Sequence, residues 1–209
     1  MIRPRAIIAE RFAAVAAHEN RTGVTQAGQQ GLGVGDREFQ MFGRDAVSYL
    51  GGVRDYASIT HDYATIAGKY GIDVVADKAA KLDRDKKEVT LEGGRKIPYD
   101  RLVVAPGIDL KYDSVPGWSQ AAEEAMPHAW KPGAQTLLLK KRLDAVPDGG
   151  VIVMIAPPNP YRCPPGPYER ISMMAYALKA ARKDKCKIVV IDAKETFSKQ
   201  AVFQEGWQQ

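Results

Sequence analysis

One stretch, Val151 to Asp192, restricts the fold of this chain more than any other. It reads VIVMIAPPNPYRCPPGPYERISMMAYALKAARKDKCKIVVID. An apolar run, Val151 to Ala156, leads into a loop crowded with proline. A helical pattern follows from about Pro167 to Lys183, with Ile171, Met174, Ala175 and Leu178 on its apolar stripe. A second apolar run, Lys187 to Ile191, ends in Asp192. Two parallel neighbours cannot be joined by a tight hairpin and need a crossover, so strand, helix, strand predicts the βαβ unit of a parallel sheet. Ligands of such sheets bind at the carboxyl ends of the strands, where the loop Ala156–Glu169 lies.

That loop is the wrong kind for phosphate. A dinucleotide unit places glycines here, so that backbone N–H groups approach a pyrophosphate. Pro157, Pro158, Pro160, Pro164, Pro165 and Pro167 offer no N–H at all. A proline-rich turn can instead hold one side chain rigidly, and the chemically interesting one is Cys163. The plain alternative is an inert, small hydrophobic residue. At the helix start, Gly166 and Pro167 suit the N-cap and first helical positions, and Glu169 suits the first turn. Asp192 stands where a dinucleotide fold keeps its ribose-binding acid; without a glycine loop it reads as structural.

Only two cysteines occur among the 209 residues, which excludes a disulfide scaffold. Cys163 follows one strand and Cys186 precedes the next, so they belong to opposite ends of the sheet, nearly 20 Å apart at a rise of ~3.3 Å per residue. A bridge needs Cα atoms within about 7 Å. The net charge of +5 is spread along the chain. Its densest cluster, Lys179 to Lys187, includes the end of a helix, where cations suit the dipole. No aromatic-interleaved basic stripe points to nucleic acid. No run approaches the ~18–20 apolar residues of a membrane span. No metal site is assigned.

The rest of the chain reads in order. Ile8, Phe12, Val15 and Ala16 fall at helical spacing, predicting a short amphipathic helix; Glu10 and Arg11 interrupt what would be the apolar core of an export signal. The run Gly31-Leu-Gly33-Val-Gly35 has no predicted strand before it and Asp36 where a fingerprint needs a small residue, so Arg21 to Asp36 reads as an irregular linker. Tyr56 to Tyr70 is predicted helical and Ile72–Ala76 a strand. Val89–Glu92, Gly93-Gly94 and Lys96–Tyr99 form a β-hairpin. Arg101–Gly107 is predicted as a buried strand ending in Pro-Gly. His128 beside Trp130 reads as a loop-packing pair or as a proton shuttle, and Pro132–Val146 as a helix.

The residues RCPPGPYER, Arg162 to Arg170, with TFSKQ at Thr196–Gln200, PHAWK at Pro127–Lys131 and YDRLVVAPGI at Tyr99–Ile108, carry a resemblance. From about Tyr49 onward the chain resembles the flavoprotein subunit of flavocytochrome c sulfide dehydrogenase, within the FAD-dependent pyridine nucleotide-disulfide oxidoreductase superfamily. The resemblance implies an α/β chain: a partial FAD/NAD(P)-binding Rossmann-like fold, a parallel sheet with a β-hairpin insertion. It divides the chain into 1–48, which does not match; 49–115, the remainder of an FAD-binding domain; and 116–209, the first βαβ part of a NAD(P)-binding-like second domain.

The resemblance also implies a chemistry, in which sulfide is oxidised through a redox cysteine to FAD and on to a c-type cytochrome subunit. Cys163 matches one cysteine of the redox pair, whose second member lies, in the family, beyond residue 209. Backbone groups near Val74 and Val75 would touch the FAD adenine, and Ala105, Pro106 and Gly107 would lie against the cofactor. The family's GxGxxG turn and flavin-linking cysteine have no counterpart here, so FAD is expected to be non-covalent and the chain incomplete. Two other readings are an inactive fragment or interaction module, and sulfide:quinone oxidoreductase-like chemistry. The family implies a periplasmic setting, although no export signal is recognised.

Overall fold

A parallel strand pair with one covered face dominates the carboxyl-terminal half of the chain. The structure, a computed structural model, describes residues 14–15, 32–35, 39–41, 43–70, 72–104, 110–131 and 133–208. The strands are β1 (Ala14–Val15), β2 (Leu32–Gly35), β3 (Phe39–Met41), β4 (Thr60–Asp62), β5 (Asp73–Ala76), β6 (Ala79–Asp83), β7 (Glu88–Leu91), β8 (Lys96–Pro98), β9 (Val103–Val104), β10 (Val151–Ala156) and β11 (Lys187–Asp192). The helices are α1 (Gly43–Leu50), α2 (Tyr63–Tyr70), α3 (Ala134–Ala145), α4 (Gly166–Ala180) and α5 (Gln200–Trp207). Two compact units result, one of residues 1–40 and 60–110, the other of 41–59 and 111–209.

In the first unit, β6, β7 and β8 form an antiparallel meander. Asp83 pairs with Glu88 at one turn, and Gly94, at φ 83°, makes the other. Only a residue without Cβ adopts that conformation at no steric cost. Val89, Leu91 and Ile97 are buried on one face, with Val75, Ala79, Tyr99 and Leu102 packed against them. The predicted hairpin is present and gains a third strand, β6, before it.

Several sequence expectations need correction here. Val15 lies in a strand, paired with Val103, rather than in an amphipathic helix; Ile8, Phe12 and Ala16 fall outside the described residues. The glycine-rich run is not an irregular linker where it is described: Leu32–Gly35 pairs in parallel with Asp73–Ala76. Glycine's weak strand preference is a local bias that ladder hydrogen bonds to a neighbouring β-branched strand override. The segment Tyr56–Tyr70 is not one helix. A single 3₁₀ turn (Ala57–Ile59) and β4 precede α2, because Asp55 accepts from the Ser58 N–H at 2.7 Å and tightens the chain there. Nor is the 101–107 strand buried where described: Val103 is 52% and Val104 44% exposed.

The second unit follows the predicted βαβ pattern. β10 and β11 run parallel in continuous register, from Val151 opposite Lys187 to Ala156 opposite Asp192. Helix α4 connects them, with Pro165 at its N-cap, Pro167 within the first turn, Glu169 at its positive end and Lys179 at its negative end. Met174 and Leu178 of α4 pack with Leu143 of α3 against Ile152 and Ile188 of the sheet. Ala175, placed on the buried stripe by spacing alone, is exposed. The opposite sheet face bares Val151, Val153, Ile155, Val189 and Ile191. Tyr49 and Tyr56 pack edge-to-face beside Ala46 and Ile59, and Met173 of α4 occupies the space a side chain at Gly51 would need.

Candidate active site

The loop between β10 and α4 is built by its own carbonyls. Gly166 N–H donates to the Cys163 carbonyl at 2.9 Å, and Tyr161 Oη donates to the Pro164 carbonyl at 2.8 Å. Cys163 is exposed, with φ at 62°. A residue with a side chain pays ~1–2 kcal/mol for the left-handed conformation, so the surroundings must hold it there. Its sulfur sits beside the first turn of α4: a Cβ placed on Gly166 would lie 3.2 Å from Cys163 Sγ and 2.8 Å from the Trp130 ring.

Trp130 is itself fixed from below. Arg170, one turn into α4, is 93% buried, having 7% exposure. Its Nη1 donates to the His128 carbonyl at 2.8 Å and its Nη2 to the Ala129 carbonyl at 2.9 Å. The guanidinium also stacks 4.7 Å from the Trp130 ring centroid. These contacts secure Ala129, which is buried and also left-handed at φ 48°. Burial pulls the Arg170 guanidinium down to about 10, with the neighbouring Cys163 and Glu169 opposing, so it remains cationic at neutral pH.

His128 belongs to the same loop. Its Nδ1 accepts the Trp130 N–H at 2.9 Å, which leaves the proton on Nε2, facing Glu123 Oε1 at 2.9 Å. Burial lowers its pKa, with Glu123 opposing. Tyr112 Oη donates to the same Glu123 oxygen. Every polar atom of the ring is thus spent on packing contacts, which favours the packing pair over the shuttle.

Asp192 is likewise engaged. Tyr168 Oη donates to Oδ2, while Lys194 contacts Oδ1 through its backbone N–H at 3.0 Å and its ammonium at 2.5 Å. That ammonium also donates to the Pro157 carbonyl at 2.9 Å and lies over the Tyr161 ring. Burial raises the Asp192 carboxyl, but the hydrogen bonds from Lys194 and Tyr168 outweigh it and the net shift is downward. Tyr168 is held above the ordinary phenol range by burial first and the Asp192 contact second. A cleft beside this cluster is lined by Asn159, Tyr161, Pro164, Lys194, Thr196, Phe197 and Ser198.

Cys163 stands in the second unit, and Val74 and Val75 in the first. In β5 the backbones of Val74 and Val75 pair with Gly33 and Val34; Val74 is exposed, and Val75 packs on the hairpin core. Ala105, Pro106 and Gly107 lie outside the described residues. Cys186 is at the far end of the sheet, where its Sγ donates to the Pro147 carbonyl, and both cysteines are free. Arg170 and Lys194 were not singled out from sequence. Arg170 had a signal: it stands four residues before Met174 and eight before Leu178, a cation on the buried stripe. Among the described residues no group of three or more His, Cys, Asp or Glu side chains can hold a metal ion, and no helix is long and apolar enough to cross a membrane.

The fold is the α/β architecture of the FAD/NAD(P)-binding oxidoreductases. The structure superposes on the sulfide:quinone oxidoreductase of the hyperthermophilic bacterium Aquifex aeolicus with a TM-score of 0.61 and 23% identity, covering 79% of this chain and 37% of that one. It superposes on reduced Bacillus anthracis CoADR-RHD with a TM-score of 0.65 and 14% identity, covering 100% of this chain and 37% of that one. Within that class, residues 136–209 match the family model described as the central part of the flavoprotein chain of sulfide dehydrogenase (flavocytochrome c), in agreement with the resemblance seen in the sequence. The sulfide-quinone reductase of Aquifex aeolicus (strain VF5) is 36% identical over 61 residues, which are 29% of this chain and 14% of the relative. The chain thus spans less than half the length of each of these relatives.

Proposed function

We propose that this chain supplies the sulfur-handling part of an FAD-dependent sulfide oxidoreductase. The observation that carries the reading is Cys163: an exposed thiol in a strained, proline-framed loop at a helix N-terminus, inside the segment that matches the sulfide dehydrogenase flavoprotein. Thiol chemistry at a cofactor requires a fixed sulfur, and a side chain locked by its backbone meets that need. FAD fits what the first unit offers only along one side, where the exposed Val74 side chain on β5 presents an apolar surface suited to a flat ring. When bound, FAD would accept the electron pair that leaves sulfur. The prolines before α4 offer no backbone N–H to a phosphate beside Cys163, and Trp130 walls the sulfur on the side of Gly166. A c-type cytochrome is the electron acceptor implied by the matched family; a quinone is the second reading, favoured by the 36% identity to the Aquifex relative.

The test adds FAD in excess to the purified chain, then sulfide, and follows flavin absorbance without oxygen. Bleaching that Cys163→Ser abolishes is the result that supports the reading. Bleaching indifferent to that substitution would reject the role of Cys163, and failure to bind flavin would reject the FAD reading for this chain. Cytochrome c and a soluble quinone, offered in turn, distinguish the two acceptors.

A further inference from the structure

We propose that Arg170 is a positioning residue for Cys163, fixing where the sulfur sits and supplying the positive charge near it. The inference rests on the reading of Cys163 as the reactive sulfur and assigns a role to a residue that does not itself meet substrate. Three observations carry it.

The first is mechanical continuity. The two Arg170 hydrogen bonds hold the carbonyls of His128 and Ala129, the residues just before Trp130. The guanidinium stacks on Trp130, and both Trp130 and Cys163 Sγ lie against Gly166. Removing Arg170 leaves two carbonyls and a left-handed Ala129 without their support.

The second is an unfinished hydrogen-bond set. Nε of Arg170 is buried and has no partner among the described residues. Buried polar atoms are nearly always paired, and an exception calls for an explanation. A methionine at this position would fill the space without the unpaired donor but would leave the His128 and Ala129 carbonyls without theirs.

The third is charge. The buried Arg170 guanidinium lies within electrostatic reach of Cys163. The other charged groups around the loop differ in kind. Arg162 adjoins Cys163 and is exposed, Glu169 is exposed on the first turn of α4, and Lys131 follows Trp130; His128 is matched to Glu123, and the buried Lys194 ammonium, at Pro157 and Tyr161, is paired with the Asp192 carboxylate. Arg170 is buried and bonded to carbonyls rather than to a carboxylate among the described residues, and a buried charge is poorly screened.

The experiment compares alkylation of Cys163 by iodoacetate and iodoacetamide in the Cys186→Ser chain. Either reagent forms a carbon–sulfur bond and releases iodide; they differ in charge. The ratio of the two rates in the native chain is divided by the same ratio in the urea-unfolded chain, which cancels the local effect of Arg162. A native preference for the anionic reagent of roughly three- to tenfold is expected, the scale of one charge acting through a partly polar medium. Arg170→Met should abolish it and Arg170→Lys restore part of it, an outcome that a purely structural role does not produce. A native chain without the preference, or a folded Arg170→Met that keeps it, overturns the proposal. Should Arg170→Met not fold, the unmodified arginine chain decides: in about 1 M salt, where screening reaches roughly 3 Å, a preference that persists supports the buried cation and one that vanishes refutes it. Loss of sulfide-dependent bleaching with the preference intact would overturn the proposed function and leave the positioning role standing.

Discussion

The indole of Trp130 closes over Gly166 so tightly that a Cβ there would stand 2.8 Å from the ring. Glycine at the first position of a helix is an unfavourable choice for the backbone, and the ring explains it. Gly166→Ala should therefore destabilise the second unit by about 1–3 kcal/mol, the usual cost of forcing extra volume into a packed site. Urea unfolding followed by tryptophan fluorescence measures it. In a Trp130→Leu background the same substitution should cost far less, and equal costs in both backgrounds would mean that the ring is not the obstacle.

Asp192 holds together the carboxyl end of the parallel pair. Lys194 and Asp192 have side chains only 9% and 17% exposed, and the Tyr168 hydroxyl donates to the same carboxylate. Asp192→Asn keeps the shape and removes the charge, so a loss of about 1–3 kcal/mol is expected in denaturant unfolding. Tyr168→Phe should lose about 1 kcal/mol, and the two changes should be less than additive because they share one hydrogen bond.

His128 gives the fold a pH dependence of definite sign. Burial lowers its pKa below the ordinary 6.5, so the unfolded chain binds more protons than the folded one in that range. Stability then rises with pH across the window between the lowered folded value and 6.5, and is lost as pH falls through it. Protonation of Nδ1 also breaks the bond accepted from the Trp130 N–H. Urea midpoints measured from about pH 7.5 down to about pH 5 should fall in the native sequence and stay flatter in His128→Gln. The Asp192 carboxyl, lowered by Lys194 and Tyr168, contributes its own loss only at more acid pH, below its ordinary 3.8.

Neither NAD nor NADP should bind the βαβ unit. Its turn lacks N–H donors at six prolines between residues 157 and 167. The acid that would meet a ribose is occupied by Tyr168 and Lys194. Calorimetric titration with either nucleotide should show no saturable heat below about 1 mM, a limit near −4 kcal/mol. A one-to-one isotherm would overturn this reading of the turn.

Sequence by itself determined the βαβ unit and nearly all of its boundaries. Two β-branched runs and a capped amphipathic segment leave few arrangements open, because each must hide an apolar face and the local signals agree. It also marked Cys163, since six prolines around one cysteine exclude a phosphate turn whatever the tertiary context. Tertiary structure decided the rest. Leu32–Gly35 became a strand because a partner strand was available, and pairing partners are not written in a local window. Val103 and Val104 read as buried by composition and are exposed, since apolar sequence records what a residue tolerates and not what covers it. Trp130 and Arg170 lie 40 residues apart in the chain and meet only through folding, each contact depending on the exact register of α4 against the loop at residues 127–131. The cation on the buried stripe was visible in the sequence, whereas its partners, two backbone carbonyls and an indole, exist as a site only in three dimensions.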